Sequence, residues 1–352
     1  MALKLPSIEI PSKGIQKQVQ DILDNKSKPV GSLGYLEEIA MKIALIQQDS
    51  KPKLSNPIML TMAADHHVID EGVSCAPPIL TWQQVENFSR GGGAIGLFCK
   101  VHDIDLWLVD AGVNHIFSKN PRIIDAKVRM GTRNFRHEPA MTHQECEQAF
   151  TKGMEIVNRF HKEGCNTIGF GEMGIGNSTP ASALLSIYTN TPAEECVGPG
   201  GGLKPKGISI KAQLINDAIK LHGIPDDAFE ILRLYGGLEI AMMAGGMYQA
   251  ALNKMLILVD GYITSSAALA AFEMDNNIAE YFIFSHISGE GAHKNMLEHM
   301  NVRPVLNLDL RLGEGTGAAL AYPIVKTAVA VLSEMTSFEE ADVFNTSEMT
   351  RI

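Results

Sequence analysis

From residue 58 onward the chain is built of short apolar runs, each stopping abruptly at a glycine-rich or polar segment. Residues 58–63 end at Ala64-Asp65-His66-His67, residues 104–109 at Asp110-Ala111-Gly112, and residues 167–170 at Gly171-Glu172. The same happens at 255–259 before Asp260-Gly261, at 281–284 before Ser285-His286, and at 305–310 before Arg311-Leu312-Gly313-Glu314-Gly315. Runs that are continuously apolar, not alternating, describe strands buried on both faces. Helical periodicity fills the gaps, at 142–161 and 265–273 among others. The pattern predicts an α/β fold, a parallel β-sheet flanked by helices. Ligands of such sheets bind beyond the C-terminal strand ends. Those ends carry Asp65, His66, Asp110, Glu172, Asn177, Asp260, His286 and Glu314.

The two ends of the chain read differently. Residues 15–23 form an amphipathic helix with Ile15, Val19, Ile22 and Leu23 on one side, and 35–47 resume the helical period after a Pro/Gly break at 28–34. A linker follows at 51–57, and a long apolar helix at 317–335 admits Pro323 early in its length. That helix is expected to return and pack on the N-terminal ones. The division expected is a small helical domain from residues 1–55 and 318–352 around a large catalytic α/β domain at 56–317.

Charge narrows the partners. Thirty Lys+Arg against 40 Asp+Glu give a net −10, which speaks against a nucleic-acid or anionic-membrane partner. The best candidate for a membrane span, 318–325, is stopped by Lys326, short of the ~18–20 residues needed. Nothing at the start resembles a signal peptide. Five widely spaced cysteines without a C-x-x-C pair read as reduced thiols of a cytoplasmic protein, with no zinc or disulfide framework.

The richest segment is Gly169-Phe170-Gly171-Glu172-Met173-Gly174-Ile175-Gly176-Asn177-Ser178-Thr179-Pro180. A buried strand enters it, and Pro180 fits the first turn of a helix capped by Ser178 or Thr179. A glycine turn ahead of a helix start turns backbone N–H groups inward and favours phosphate. A second cluster, Gly198-Pro199-Gly200-Gly201-Gly202, precedes Lys204, Lys206 and Lys211, which would complete a phosphate cradle. Glycine clusters serving only as turns are the plainer reading. The segment also contains Gly169-x-Gly171-x-x-Gly174, a dinucleotide fingerprint, so an NAD-dependent dehydrogenase is a second reading. Its helix, however, starts too late. In Arg311-Leu312-Gly313-Glu314-Gly315-Thr316-Gly317 a carboxylate stands between glycines at a strand mouth. Desolvation there would raise its pKa toward that of a general base; complementing the helix dipole is the alternative. Asp65-His66-His67 offers no metal spacing, since adjacent histidines on an extended segment point apart. P-loop and nucleophile-elbow patterns are absent.

Taken together, Lys28–Gly34 (KPVGSLG), Ala64–His66 (ADH), Asp70–Val73 (DEGV), Gly171–Pro180 (GEMGIGNSTP), Asp260–Ala268 (DGYITSSAA) and Arg311–Ala321 (RLGEGTGAALA) resemble the nicotinate-nucleotide:dimethylbenzimidazole phosphoribosyltransferase family. The resemblance runs in order over nearly the whole chain. It implies transfer of the phosphoribosyl group of nicotinate mononucleotide to an aromatic base, with nicotinate released and C1′ inverted, and without a cofactor or metal. It implies a Rossmann-like large domain, a small helical domain from both chain ends, and a dimer. Glu314 would be the general base and Glu172 a second active-site carboxylate. Gly174, Gly176, Asn177, Ser178, Gly200, Gly201 and Lys211 would hold the 5′-phosphate, with Asp260 among the phosphate and ribose contacts.

The sequence departs from the family's pattern where the base would sit. Ala76-Pro77-Pro78 replaces a Ser-Pro-Lys stretch, removing a hydroxyl and a charge, while Gln84 fits the base-pocket glutamine and Leu312 the apolar wall. Ser288-Gly289-Glu290-Gly291-Ala292 replaces a Ser-x-Glu-Lys-Gly segment. The acceptor implied is dimethylbenzimidazole, with a homodimer, or, since a less polar pocket suits a less polar base, phenol or p-cresol, as in the family branch that works as a heterodimer of paralogous chains. A non-catalytic paralogous subunit is a third reading, opposed by the presence of Glu314, Glu172 and Lys211.

Overall fold

The computed structural model describes residues 4–200, 202–290 and 292–345. Six strands form one parallel sheet: β1 (Ile58–Ala64), β2 (Asp105–Gly112), β3 (Ile123–Asp125), β4 (Thr167–Met173), β5 (Leu256–Val259) and β6 (Phe282–Phe284). Their order is β3-β2-β1-β4-β5-β6, all neighbours parallel. This is the doubly wound order whose direction reverses between β1 and β4, leaving a crevice at their C-terminal ends. Every residue of β1, β4 and β5 is buried, which the continuous apolar runs require.

Helices cover both faces. On one, Leu238–Leu252 lies along the sheet and packs against His143–Lys162 and Tyr262–Met274. Glycines permit the close approach: a Cβ on Gly153 would lie 2.0 Å from the Met242 carbonyl oxygen, and one on Gly245 2.0 Å from that of Phe150. On the other face Thr316–Ser333 packs on β4 and β5 and on Gly93–Val101 and Tyr35–Gln47. This last helix has the length and apolarity of a membrane span, but over half of it is buried inside the fold. The chain ends meet through an antiparallel bridge between Lys26 and Ser337 and through the Ser27 N–H donating to the Thr336 carbonyl at 3.0 Å.

Three local expectations are corrected. The run 305–310 does not form a strand. It follows β6 only briefly, through the Val305 N–H donating to the Phe284 carbonyl at 2.9 Å and the Leu306–His286 bridge, because Asn307, Leu308 and Asp309 are exposed and Asp309 sits at φ 54°, outside extended geometry. β4 does not stop at Phe170 but continues through Gly171, Glu172 and Met173, carrying a carboxylate into the buried strand end. The following helix, Ser178–Thr189, starts from Asn177, and no side chain caps it.

Gly171 shows why β4 alternates glycine. A Cβ there would lie 2.3 Å from the backbone of Glu314 and Gly315, so the 313–315 turn rests directly on the strand. Gly169 likewise clears Met59, at 2.6 Å. These glycines serve sheet packing, not a dinucleotide turn. Gly171→Ala should therefore lower stability by about 1–3 kcal/mol, the usual cost of overpacking a core. An unchanged urea midpoint would contradict this close packing.

Candidate active site

A cavity of about 290 Å³ opens at the C-terminal ends of β4, β5 and β6. Glu314 stands on its wall, on a turn of three consecutive left-handed residues, with φ 87° at Gly313, 67° at Glu314 and 98° at Gly315. Glycine adopts that region freely and glutamate does not. Asp260, at the end of β5, fixes the turn. Its carboxylate accepts from the N–H groups of Gly315 at 2.9 Å, Gly317 at 2.7 Å and Ala318 at 3.2 Å, the unpaired donors that open the helix Thr316–Ser333. The Glu314 carbonyl accepts from Thr61 Oγ1 at 2.8 Å. The side chain remains available: Glu314 is only 8% exposed, and its Oε2 finds no hydrogen-bond partner within the protein.

Burial dominates the electrostatics. Desolvation, with the negative charge of Asp260 added, pushes the Glu314 pKa up to about 7, against the pull of the Ile95 N–H. Glu172 is pushed up to about 8 by burial, with Glu239, Asp260 and Glu314 adding to the rise and the Asn177 side-chain amide, which donates to it, opposing. Three buried carboxylates on one cavity, Glu172, Asp260 and Glu314, cannot all ionise cheaply. Burial lowers the pKa of His286 despite nearby Asp260. A carboxyl near 7 with a free oxygen is matched to proton abstraction at neutral pH.

Opposite these acids is a glycine turn at a helix start. The turn Gly174-Ile175-Gly176 bends around the β1 loop; a Cβ on Gly174 would lie 2.4 Å from the Ala64 carbonyl oxygen, and Gly176 has φ 95°. It delivers Asn177 and Ser178 to the cavity at a helix start. Lys211, buried on the helix Pro205–His222, donates to Ser178 Oγ at 2.8 Å and to the Gly198 carbonyl at 3.4 Å. Its burial lowers its pKa to about 8, with Glu290 opposing. Gly200 (φ 49°) lines the cavity beside them. Gly201 lies outside the described residues. Lys204 and Lys206 are exposed and do not line the cavity.

Other residues singled out in the sequence fall elsewhere. Ala76 and Leu312 line the cavity, whereas Pro77 and Gln84 do not; Gln84 accepts from Asn87 Nδ2 at 3.0 Å. Asp260 reaches the wall, but its carboxylate is committed to the three backbone donors. Asp65 accepts from the Asn114 N–H at 2.7 Å, Asp110 pairs with Lys127 at 2.9 Å, and His66 meets Glu239 at 2.7 Å. All three brace strand ends behind the site. Among the described residues no His, Cys, Asp or Glu cluster is placed to hold a metal ion. Sequence reasoning missed Tyr262, Thr264 and Glu290 as cavity residues. For the first two the signal was their place just after β5.

Fold and site set a buried carboxyl with a raised pKa and a glycine turn at a helix start on the walls of one cavity. The comparisons supply the class: a family model described as phosphoribosyltransferase matches residues 8–343. The nicotinate-nucleotide–dimethylbenzimidazole phosphoribosyltransferase of Dechloromonas aromatica is 47% identical over 339 residues, spanning 96% of this chain and 97% of the relative. That of Bacteroides fragilis (strain ATCC 25285) is 42% identical over 341 residues, spanning 97% and 99%. The crystal structure of CobT from Thermus thermophilus matches with a TM-score of 0.90 at 37% identity, over 94% of this chain and 99% of that one. The chain belongs to the nicotinate-nucleotide–dimethylbenzimidazole phosphoribosyltransferase family and is a pentosyltransferase. The dehydrogenase reading is set aside.

Glu172 yields a pH prediction. Its folded pKa, about 8, exceeds its ordinary 4.5, so the native state keeps a proton that the unfolded chain releases. The associated stability is fully present below about 4.5 and is lost as pH rises through about 8. Stability of the wild type should fall over that window, by up to about 1.4 kcal/mol per pH unit for each such carboxyl. Glu172→Gln should flatten the decline in urea midpoint; an equally steep decline would count against a buried, protonated Glu172.

Proposed function

We propose that the protein transfers the 5-phosphoribosyl group of nicotinate mononucleotide to an aromatic base, with Glu314 as general base. The observation that carries this reading is the unpartnered, buried carboxyl oxygen of Glu314 at the cavity, across from the Ser178–Gly200–Lys211 cradle. The cradle would hold the 5′-phosphate and so fix the ribose. The acceptor atom attacks C1′ from the face opposite the pyridinium, and the electron pair of the breaking C1′–N bond returns to that ring. Nicotinate leaves, the configuration inverts to α, and the acceptor's proton passes to Glu314. The cationic pyridinium is already an activated leaving group, so alignment and deprotonation are what remains for the protein to supply. Glu172, held protonated, would stand as a hydrogen-bond donor toward the ribose.

The names of the relatives make dimethylbenzimidazole the first acceptor. A second reading, phenol or p-cresol, is supported by the apolar Ala76 and Leu312 on the cavity wall. A phenol, with pKa ~10, relies on a base more heavily. We take the active unit to be a cytoplasmic dimer, of two copies for a benzimidazole or with a paralogous chain for a phenol. The division into a small domain (1–55 with 318–352) and a catalytic one (56–317) belongs to the same proposal.

The test is product mass after incubation with nicotinate mononucleotide and one acceptor at a time: dimethylbenzimidazole, adenine, phenol and p-cresol. A benzimidazole ribotide is expected, with Glu314→Gln slowing turnover about 10²–10⁴-fold. A phenolic ribotide would favour the second reading. No ribotide with any acceptor, even on co-expression with a paralogous chain, would sink the proposal, and full activity in Glu314→Gln would remove its general base.

A further inference from the structure

Asp260 caps the helix Thr316–Ser333 by taking its first N–H groups. The helix that Asp260 itself leads into, Tyr262–Met274, has no such cap: it follows Gly261, and no side chain bonds to its opening turn. Gly261, Tyr262, Ile263 and Thr264 all line the cavity. The N–H groups of Tyr262, Ile263 and Thr264 meet no acceptor among the described residues, as the first turn of a helix leaves them. Such a start attracts anions. A second observation points the same way. Thr264 is 1% exposed, and its Oγ1 finds no hydrogen-bond partner within the protein, a costly state for a buried hydroxyl. The His286 ring spans the two helix starts. A Cβ on Gly317 would lie 2.0 Å from its Nδ1, and one on Gly261 would lie 3.3 Å from its Nε2. Nδ1 is engaged with Ser285 Oγ at 3.0 Å, and Nε2 is the nitrogen turned to the Tyr262 start. Backbone donors, a hydroxyl and an imidazole are thus gathered at one place on the cavity wall.

We propose that the start of Tyr262–Met274, with the Thr264 hydroxyl, holds the ring carboxylate of the nucleotide and makes the enzyme choose the acid over the corresponding amide. The inference rests on the proposed reading of the substrate as nicotinate mononucleotide with its 5′-phosphate at Ser178 and Lys211. That substrate carries two anions, one at each end, and the cavity offers two helix starts without a side-chain cap. The starts are neighbours. Tyr262 Oη meets Ser182 Oγ at 2.9 Å, one turn into the Ser178 helix, and packed helices lie about 8–10 Å apart. Charge sorts the two groups. The phosphate, with nearly two charges, goes to the start whose serine is bonded to the Lys211 ammonium. The start beside the Asp260 carboxylate suits a single charge, and the oxygens of a carboxylate accept from its hydroxyl and N–H groups. An amide would turn NH₂, a donor, toward these donors and leave one of them unpaired. Thr264 is therefore a specificity residue for the leaving ring.

The experiment compares nicotinate mononucleotide with nicotinamide mononucleotide as donors, and titrates ribose 5-phosphate by calorimetry, in the wild type, Thr264→Val, Thr264→Ala and Thr264→Ser. The wild type should favour the acid. Thr264→Val should raise KM for the acid about ten- to hundredfold, the worth of a hydrogen bond to a charged group, while kcat/KM for the amide moves far less. Thr264→Ala should repeat the loss, and Thr264→Ser, which keeps the hydroxyl, should recover most of it. Ribose 5-phosphate lacks the ring carboxylate and should bind all four proteins alike. A wild type indifferent to acid and amide, or an equal loss for both donors in Thr264→Val and Thr264→Ala, overturns the inference and leaves the proposed reaction standing. Weaker ribose 5-phosphate binding in those variants also overturns it, by giving this helix start to the phosphate. No phosphoribosyl transfer from either donor by the wild type removes the reaction itself, and the inference with it.

Discussion

The buried carboxylate of Asp260 joins the end of β5 to the start of the last helix, and the active site hangs on that junction. Three N–H groups that the helix Thr316–Ser333 cannot satisfy internally converge on it. Hydrogen bonds to a charged acceptor contribute about 1.5–3 kcal/mol each. A non-glycine residue in the left-handed region costs roughly 1–2 kcal/mol. The bonds outweigh the strain, so Glu314 stays at φ 67° with its side chain at the cavity. Gly171 completes the arrangement from below, because only a strand without a Cβ there lets the turn lie so close.

The same compactness sets the chemistry. Asp260 must be buried to reach its donors, and its charge then helps push the neighbouring Glu314 upward. Glu172 is forced into the sheet by the continuation of β4 and rises further still. Across the cavity, the helix start at Ser178, with Lys211 bonded to the Ser178 hydroxyl, supplies the opposite polarity. The proposed reaction needs both ends, an anion held fast and a proton accepted a short distance away.

Much of this was legible in the amino-acid order. Continuous apolar runs named five of the six strands, and a glutamate between glycines announced a special carboxylate. What escaped was long-range. β3 is three residues at the sheet edge, too short to make a pattern, and 305–310 has strand composition but an exposed position and a left-handed Asp309. Asp260 looked like another strand-end ligand; that it holds the Glu314 turn is visible only once residues 55 positions apart are brought together. Gly169 and Gly171 suggested a dinucleotide loop although they answer to Met59 and to the Glu314 backbone. Gln84, carried over by resemblance, lies on the helix Ile79–Ser89 facing Asn87 instead of the cavity. Periodicity reports which face is buried, and it is silent about which distant backbone presses on that face.

The central claim is that burial beside Asp260 makes Glu314 a base suited to neutral pH, and its titration tests this most directly. Carbon-13 spectra of protein labelled at glutamate carboxyls, recorded against pH with Glu314→Gln to assign the resonance, would report it. A transition near 7 is the predicted result. A transition near the ordinary 4.5 would mean that the carboxyl is solvated and that the Asp260-held turn does not create the base.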